Sequence, residues 1–483
     1  MGSSRLAEIR EARIEKLKKI RDLGVDPYPA KYSKSFISIS QARGNLGQVV
    51  NVVGRLWRFR EHGQVVFADV KDSSGQIQLL FQEKTLAEKY YFLKLFDAGD
   101  FLGVEGRVIT TQAGETTIDV SHFELLSKSL RPLPDDWYGL KDIEERYRQR
   151  YVDLLINDSV KNVFLTRTKI VKLFRDRLDR EGFIEVETPV LQPVYGGTVA
   201  KPFTTHHNAL DSDFYLRISD ELYLKRLIVA GFDKVYELSK DFRNEGFDRA
   251  HNPEFTMLEF YWAYADYQHL MDFTQQLISD IVGEVHGKLQ IEYQGQKLDF
   301  TPPWPRLTYR EAIRQYSRID IEEADTEGKL KKQISTKLDL SGSAGYGDLV
   351  DRLYKHTTRP HLTGPLFLIN RPTEFVTLAK RQPENPRVTA SFQLLVAGEE
   401  ILTAYNELND PGDQATRWKE SEKQGEAGHE EHETYDADYV RALEYGMPPT
   451  AGWGLGIDRF TAILTDQPSL KDTILFPTLR PEK

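Results

Sequence analysis

The sequence predicts an α+β protein: a small N-terminal β-barrel followed by a larger domain that mixes strands and helices. Three observations carry that expectation. Between about residues 48 and 127 the chain breaks into short, strand-like runs separated by turn residues. Two further alternating runs, residues 234–238 and 255–261, flank a charged loop containing Gly246 and read as a hairpin. Near the end, Gly452, Gly454 and Gly456 alternate along a strand and Arg459 opens the next helix. Glycines in a strand allow a ligand to approach the backbone closely.

With 483 residues, the chain is long enough for two or three domains and a large buried core. Its net charge of -10 argues against indiscriminate nucleic-acid binding and leaves room for a local basic patch. Cysteine is absent, so disulfides, thiolate metal sites and a cysteine nucleophile are excluded, which fits a cytoplasmic location. No apolar run approaches the roughly 18 residues that span a bilayer, and the early charges do not fit a secretory leader. No membrane association is expected.

In chain order, residues 1–25 read as a helix, with Leu6, Ile9, Ile14, Leu17, Ile20 and Leu23 near helical spacing and Gly24 and Pro27 at its end. Its surplus of Arg and Lys suits either a solvated face or contact with a phosphate backbone. Five strands then follow in about eighty residues, with a helix between the third and fourth. That is the pattern of an OB-fold barrel, a fold that binds oligonucleotides on an open face by stacking bases on aromatics. Leu130-Arg131-Pro132-Leu133-Pro134 reads as linker. A helix from about 158 to 181 ends at Gly182 and leads into a short strand, and residues 262–285 read as another helix.

In the hairpin, Arg243 and Glu245 occupy alternate positions, as do Phe255, Glu259 and Tyr261. Side chains alternate along a strand, so each set shares a face. A face of cation, carboxylates and aromatics suits a nucleotide and a charged amino acid better than a core. Two weaker signals are set aside. Residues 342–347 lack both phosphate-loop spacings and read as a mobile loop. His429-Glu430-Glu431-His432-Glu433 is one residue short of the H-E-x-x-H zinc spacing, so it reads as a solvated segment and no zinc is expected.

Phe242-Arg243-Asn244-Glu245-Gly246, followed by His251-Asn252-Pro253-Glu254-Phe255-Thr256, resembles the second signature motif of class II aminoacyl-tRNA synthetases. The glycine strand with Arg459 resembles the third motif, and residues 158–189 resemble the first. The similarity is to the lysyl-tRNA synthetase family of subclass b and covers nearly the whole chain. It implies a basic N-terminal helix and lead-in at 1–47, an OB-fold anticodon-binding domain at 48–129 and a linker at 130–150. A class II catalytic domain on an antiparallel β-sheet flanked by helices then fills 151–483, with a helical insertion at about 290–365.

The resemblance also implies roles. Arg243 and Arg459 would be catalytic, holding the α-phosphate and the γ-phosphate side of ATP. Glu245, His251, Asn252, Phe255 and Glu400 would complete the ATP site, with Phe255 stacking the adenine against Arg459. Gly197, Glu221, Glu259, Tyr261, Thr403, Tyr405 and Glu407 would bind L-lysine. Arg60, Phe67 and Gln78 would grip the anticodon of tRNA(Lys), and Glu400 with Gln393 would hold Mg2+. A homodimer is implied as well. The chain departs from the family pattern at Gln393 (commonly Glu), Thr403 (commonly Asn), Leu402, Ala250 and Val376-Thr377. These departures fit either tolerated variation or an altered substrate or metal requirement. The competing readings are a lysine analogue or another amino acid as substrate, a protein-modifying or dinucleotide-forming ligase, and a non-catalytic tRNA-binding paralogue. The protein-modifying ligases typically lack the N-terminal barrel.

Overall fold

The computed structural model describes residues 3–134, 142–246, 248–334, 345–426 and 433–482, in two compact units that divide between Lys141 and Asp142. The first unit is the expected closed five-stranded barrel. Its strands are β1 (Val49–His62), β2 (Val65–Lys71), β3 (Gln76–Gln82), β4 (Phe101–Thr110) and β5 (Thr116–Ser127), in the order β1-β2-β3-β5-β4. Only β3 and β5 pair in parallel. Alternation buries Val50, Val52 and Leu56 from β1 and Val66, Ala68 and Val70 from β2. Two short helices, Glu83–Leu86 and the 3-10 turn Ala87–Leu95, add Leu86, Tyr90 and Leu93 to the same core.

The N-terminal helix runs Ser3–Asp22 and buries Leu17 and Ile20. Part of its basic face is structural. Arg13 donates to the Arg131 carbonyl at 2.9 Å, and Lys16 donates to Asp97 at 2.7 Å. Arg5, Arg10, Lys18, Lys19 and Arg21 remain exposed.

The second unit is organised on an eight-stranded sheet. Its strands, with a small three-stranded sheet and a hairpin beside it, are β6 (Ile184–Glu185), β7 (Leu191–Gln192), β8 (Thr204–His207), β9 (Ser212–Leu216), β10 (Lys234–Phe242), β11 (Glu254–Ala263), β12 (Gln290–Tyr293), β13 (Gln296–Asp299), β14 (Arg306–Thr308), β15 (Leu366–Ile369), β16 (Ser391–Val396), β17 (Glu399–Asn406) and β18 (Thr450–Gly456). The large sheet has the order β14-β15-β16-β17-β18-β11-β10-β6. It is antiparallel except at its two edges, where β14–β15 and β10–β6 are parallel.

One face of this sheet is apolar. Tyr236, Leu258, Phe260, Trp453 and Leu455 pack against the helices Asp158–Arg180 and Tyr267–His286, and the Phe260 and Trp453 rings stack at 4.7 Å. The intervening residues must therefore point to the other face, and those are the motif residues. The insertion forms a separate apolar cluster from the helices Tyr309–Ser317, Glu327–Ile334 and Gly345–Thr357.

Three expectations need adjusting. Residues 342–344 lie outside the described residues, but Gly345 and Gly347 open a helix rather than continuing a mobile loop. Residues 429–432 also lie outside, whereas Glu433, expected to be solvated, is buried: it accepts hydrogen bonds from Thr377 and Trp418, so it satisfies two interior donors. Residues 143–148, expected within a linker, form a helix capped by Asp142, whose side chain accepts from the Glu145 N–H.

Candidate active site

The polar face of the sheet forms the floor of a cavity of about 420 Å3. Strand register decides what meets there. Across one row, Gln393 pairs with Thr403, Thr403 with Gly454, Gly454 with Glu259, and Glu259 with Glu237. Across the next row, Tyr405 pairs with Gly452 and Gly452 with Tyr261. The glycines are needed because large side chains flank them. A Cβ on Gly452 would collide with the Glu407 carboxylate and with the Tyr261 ring.

Towards the Phe255 end of β11 the cavity is cationic. Arg243 lies just past β10 with its guanidinium 4.9 Å from the Phe255 ring centre, and burial depresses its pKa. Arg459, in the first turn of the helix Ile457–Leu464, donates to the Glu400 carbonyl at 3.0 Å. Arg371, which sequence reasoning missed, lines the same wall. Phe255 stacks with Arg243, and it lines the same cavity as Arg459. Glu245 lies on the exposed loop beyond the strand end. His251 is exposed and 3.0 Å from Asp248, while Asn252 spends its side chain on the Glu254 carbonyl and the Thr478 N–H.

Towards the Glu259–Tyr261 end the cavity is anionic. Gly197 approaches here with φ +91, where an added Cβ would meet Ser219 and Glu221. The helix Glu221–Val229 delivers Glu221 in its first turn and Lys225 one turn later. The Lys225 side chain is fully buried, pairs with both Glu221 and Glu407, and lies within 6 Å of the Tyr261 and Tyr405 ring centres. Burial works to lower the Lys225 ammonium, but Glu221 and Glu407 outweigh it and raise its pKa. Burial pushes the Glu407 carboxyl up and Lys225 opposes that. Tyr405 donates to Glu221 at 2.7 Å, and Tyr261 donates to Glu259 at 3.1 Å. Glu259 itself is pushed up to about 8 by burial and by the charges of Asp241 and Glu221.

Lys225 had a signal in the sequence: it sits four residues after Glu221 on a helix, the spacing of an ion pair. Its second partner, Glu407, is distant in the chain and had none.

Glu400 is the cavity carboxylate best suited to a magnesium ion. Burial opposes its charge, yet Arg371, Thr403 and Arg459 hold it below the usual glutamate value. Gln393 donates its amide to Glu400 at 2.5 Å, leaving only its carbonyl oxygen for a metal. Thr403 also donates to Glu400, at 2.6 Å, so its hydroxyl serves that carboxylate. The residues thus fit one magnesium carboxylate ligand, with Gln393 as support.

On the barrel, Arg60 and Phe67 are direct cross-strand partners, as are Asp69 and Gln78. Arg60 is largely exposed and Phe67 is half-buried. Gln78 is buried and held from both sides, donating to Glu115 at 2.7 Å and accepting from Thr117 at 2.9 Å. Glu115, not singled out in the sequence, therefore belongs to this face. Arg60 reaches to 3.9 Å from the Asp69 carboxylate, and a half-exposed aromatic beside an exposed guanidinium is chemistry that can stack a base.

Comparison with known proteins agrees in both units. Residues 142–480 match the family model for tRNA synthetases class II (D, K and N), and residues 50–126 match that of the OB-fold nucleic acid binding domain. A lysine–tRNA ligase of Moorella thermoacetica is 46% identical over 99% of this chain and 98% of its own. Those of Syntrophomonas wolfei and Dehalococcoides mccartyi are 45% and 44% identical, over 99% and 97% of this chain and 98% and 96% of theirs.

Proposed function

The chain belongs to the class II tRNA synthetases (D, K and N), and from that premise we propose that it activates L-lysine with ATP and transfers the lysyl group to tRNA(Lys). The observation that carries the lysine assignment is the charge layout of the cavity. Glu221, Glu259 and Glu407 gather towards one end of β11, and Arg243, Arg371 and Arg459 line the same cavity. A substrate with two ammonium groups and one carboxylate matches that layout. A substrate with an acidic side chain would meet uncompensated carboxylates, which is costly in a buried site.

Activation is an in-line displacement. A carboxylate oxygen of lysine bonds to the α-phosphorus of ATP, and the bond to the pyrophosphate oxygen breaks. The carboxylate is already a nucleophile, so the site needs orientation and charge stabilisation and no general base. Arg243 serves both reactants, because its planar fork can hold phosphate and carboxylate oxygens together. Arg459 takes the pyrophosphate side. Glu221 receives the α-ammonium, while Glu259, with Tyr261, receives the side-chain ammonium. A magnesium ion at Glu400 would neutralise phosphate charge. In the second step the terminal ribose hydroxyl of the tRNA attacks the lysyl carbonyl and AMP leaves. The barrel face around Arg60, Phe67 and Gln78 reads the anticodon in this scheme. A homodimer and a cytoplasmic location complete the reading.

The test is amino-acid-dependent ATP–pyrophosphate exchange with each standard amino acid and magnesium present. Exchange with lysine alone is expected. Exchange with a different amino acid would transfer the assignment to that substrate, and a silent protein that still binds tRNA would be a paralogue without catalysis.

A further inference from the structure

Behind Glu259 lies a group that the adenylation scheme does not use. Asp220 immediately precedes the helix Glu221–Val229, at the position where an aspartate normally accepts a helix N–H. It does not do so here; Ser219 accepts from the Glu221 N–H at 3.1 Å instead. The Asp220 side chain is fully buried, and neither carboxyl oxygen receives a hydrogen bond from an N–H or hydroxyl donor. It faces the Glu259 carboxyl, and an oxygen each from Asp220, Asp241 and Glu259 lie within 4.8 Å of one another.

The neighbouring acids are compensated and this pair is not. Arg217 donates to Glu237 at 2.6 Å and approaches Asp241 to 3.3 Å, and Lys225 serves both Glu221 and Glu407. Among the described residues no cation lies within ion-pair distance of Asp220 or Glu259. Two carboxyls in mutual contact away from water cannot both carry charge. We propose that Asp220 and Glu259 share one proton in the free enzyme and that the side-chain ammonium of lysine displaces it, making Asp220 a positioning residue for lysine selection. This rests on the lysine reading above and deepens it.

The balance is simple. The free pair carries one proton and one negative charge. On binding, the proton leaves to solvent, both carboxyls become carboxylates, and the incoming ammonium supplies the compensating positive charge. Burial raises both groups, with the charges of Asp241, Glu237 and Glu221 acting in the same direction. Arg243, Tyr405, Glu407 and Tyr261, the last hydrogen-bonded to Glu259, also face it. Asp220 does not line the cavity, so it acts through Glu259.

The experiment is calorimetric titration of the intact protein with L-lysine near pH 7 in two buffers of very different ionisation enthalpy. A buffer-dependent heat corresponding to release of about one proton is expected. Asp220→Asn, which cannot yield that proton, should lose the buffer dependence and bind lysine about tenfold more weakly with ATP binding unchanged. Equal heats in both buffers for the native protein would overturn the proton coupling while leaving the lysine reading intact. Retention of buffer dependence in Asp220→Asn would remove Asp220 from it. No heat with lysine, with exchange supported by another amino acid, would overturn the lysine reading and this inference together.

Discussion

Lys225 and Glu407 form an ion pair with both side chains fully buried, at the anionic end of the cavity. The protein thus carries its own lysine ammonium among the carboxylates proposed to receive a substrate lysine. Glu221 shares that ammonium and also accepts from Tyr405. The internal cation leaves Glu221 and Glu407 with spare acceptor capacity without leaving two buried carboxylates uncompensated.

Removing it should be severe. Lys225→Met leaves Glu221 and Glu407 without their cation, and breaking a buried pair by deleting one partner costs about 3–5 kcal/mol. Urea denaturation should show that loss. A variant as stable as the native protein would mean that the pair contributes little.

The pH dependence of stability follows from Glu259. Its carboxyl is raised to about 8 in the folded protein from an ordinary 4.5. The folded state therefore holds a proton that the unfolded chain has already released. The stabilisation from this group is full below 4.5 and is lost as pH rises through 8. Glu259→Gln should flatten that part of the profile when denaturation midpoints are compared at several pH values.

Arg243→Lys should leave the fold intact and lower the rate of lysine-dependent ATP–pyrophosphate exchange. Replacing the planar fork by a point charge loses bidentate contact in the transition state, and a loss of about 10²–10³ in kcat is expected. Steady-state kinetics with the ATP KM determined in parallel would check it.

Phe67→Ala on the barrel should raise the KM for tRNA with no effect on exchange in its absence. Loss of one base stack is worth about 1–3 kcal/mol, or roughly 5- to 150-fold. Equal aminoacylation kinetics for the two proteins would remove Phe67 from the tRNA-binding surface.

The barrel, the hairpin of β10 and β11 and the glycine strand were legible because each is written in local alternation and turn residues. The 420 Å3 cavity then gathers every residue singled out for ATP and lysine. Legibility stopped where partners are set by packing. The Arg243 guanidinium over the Phe255 ring had no signal in the local pattern. Glu433 was read as solvated because its neighbours are acidic, yet Trp418 and Thr377 take it into the interior. Arg13 and Lys16 looked available to phosphate and are held by the Arg131 carbonyl and the Asp97 carboxylate.

By itself the sequence determined the barrel strands, the β10–β11 hairpin, the glycine strand and which chemistry-bearing residues share a face, because those follow from periodicity over a few neighbouring positions. Only the tertiary structure decided how the charges compensate one another. Glu221 and Tyr405 are 184 positions apart and meet at 2.7 Å because β17 and the helix Glu221–Val229 pack beside the same cavity. Whether a carboxyl is neutral, paired or free for a substrate depends on burial and on distance to other charges. Both quantities come into being only when remote segments are brought together.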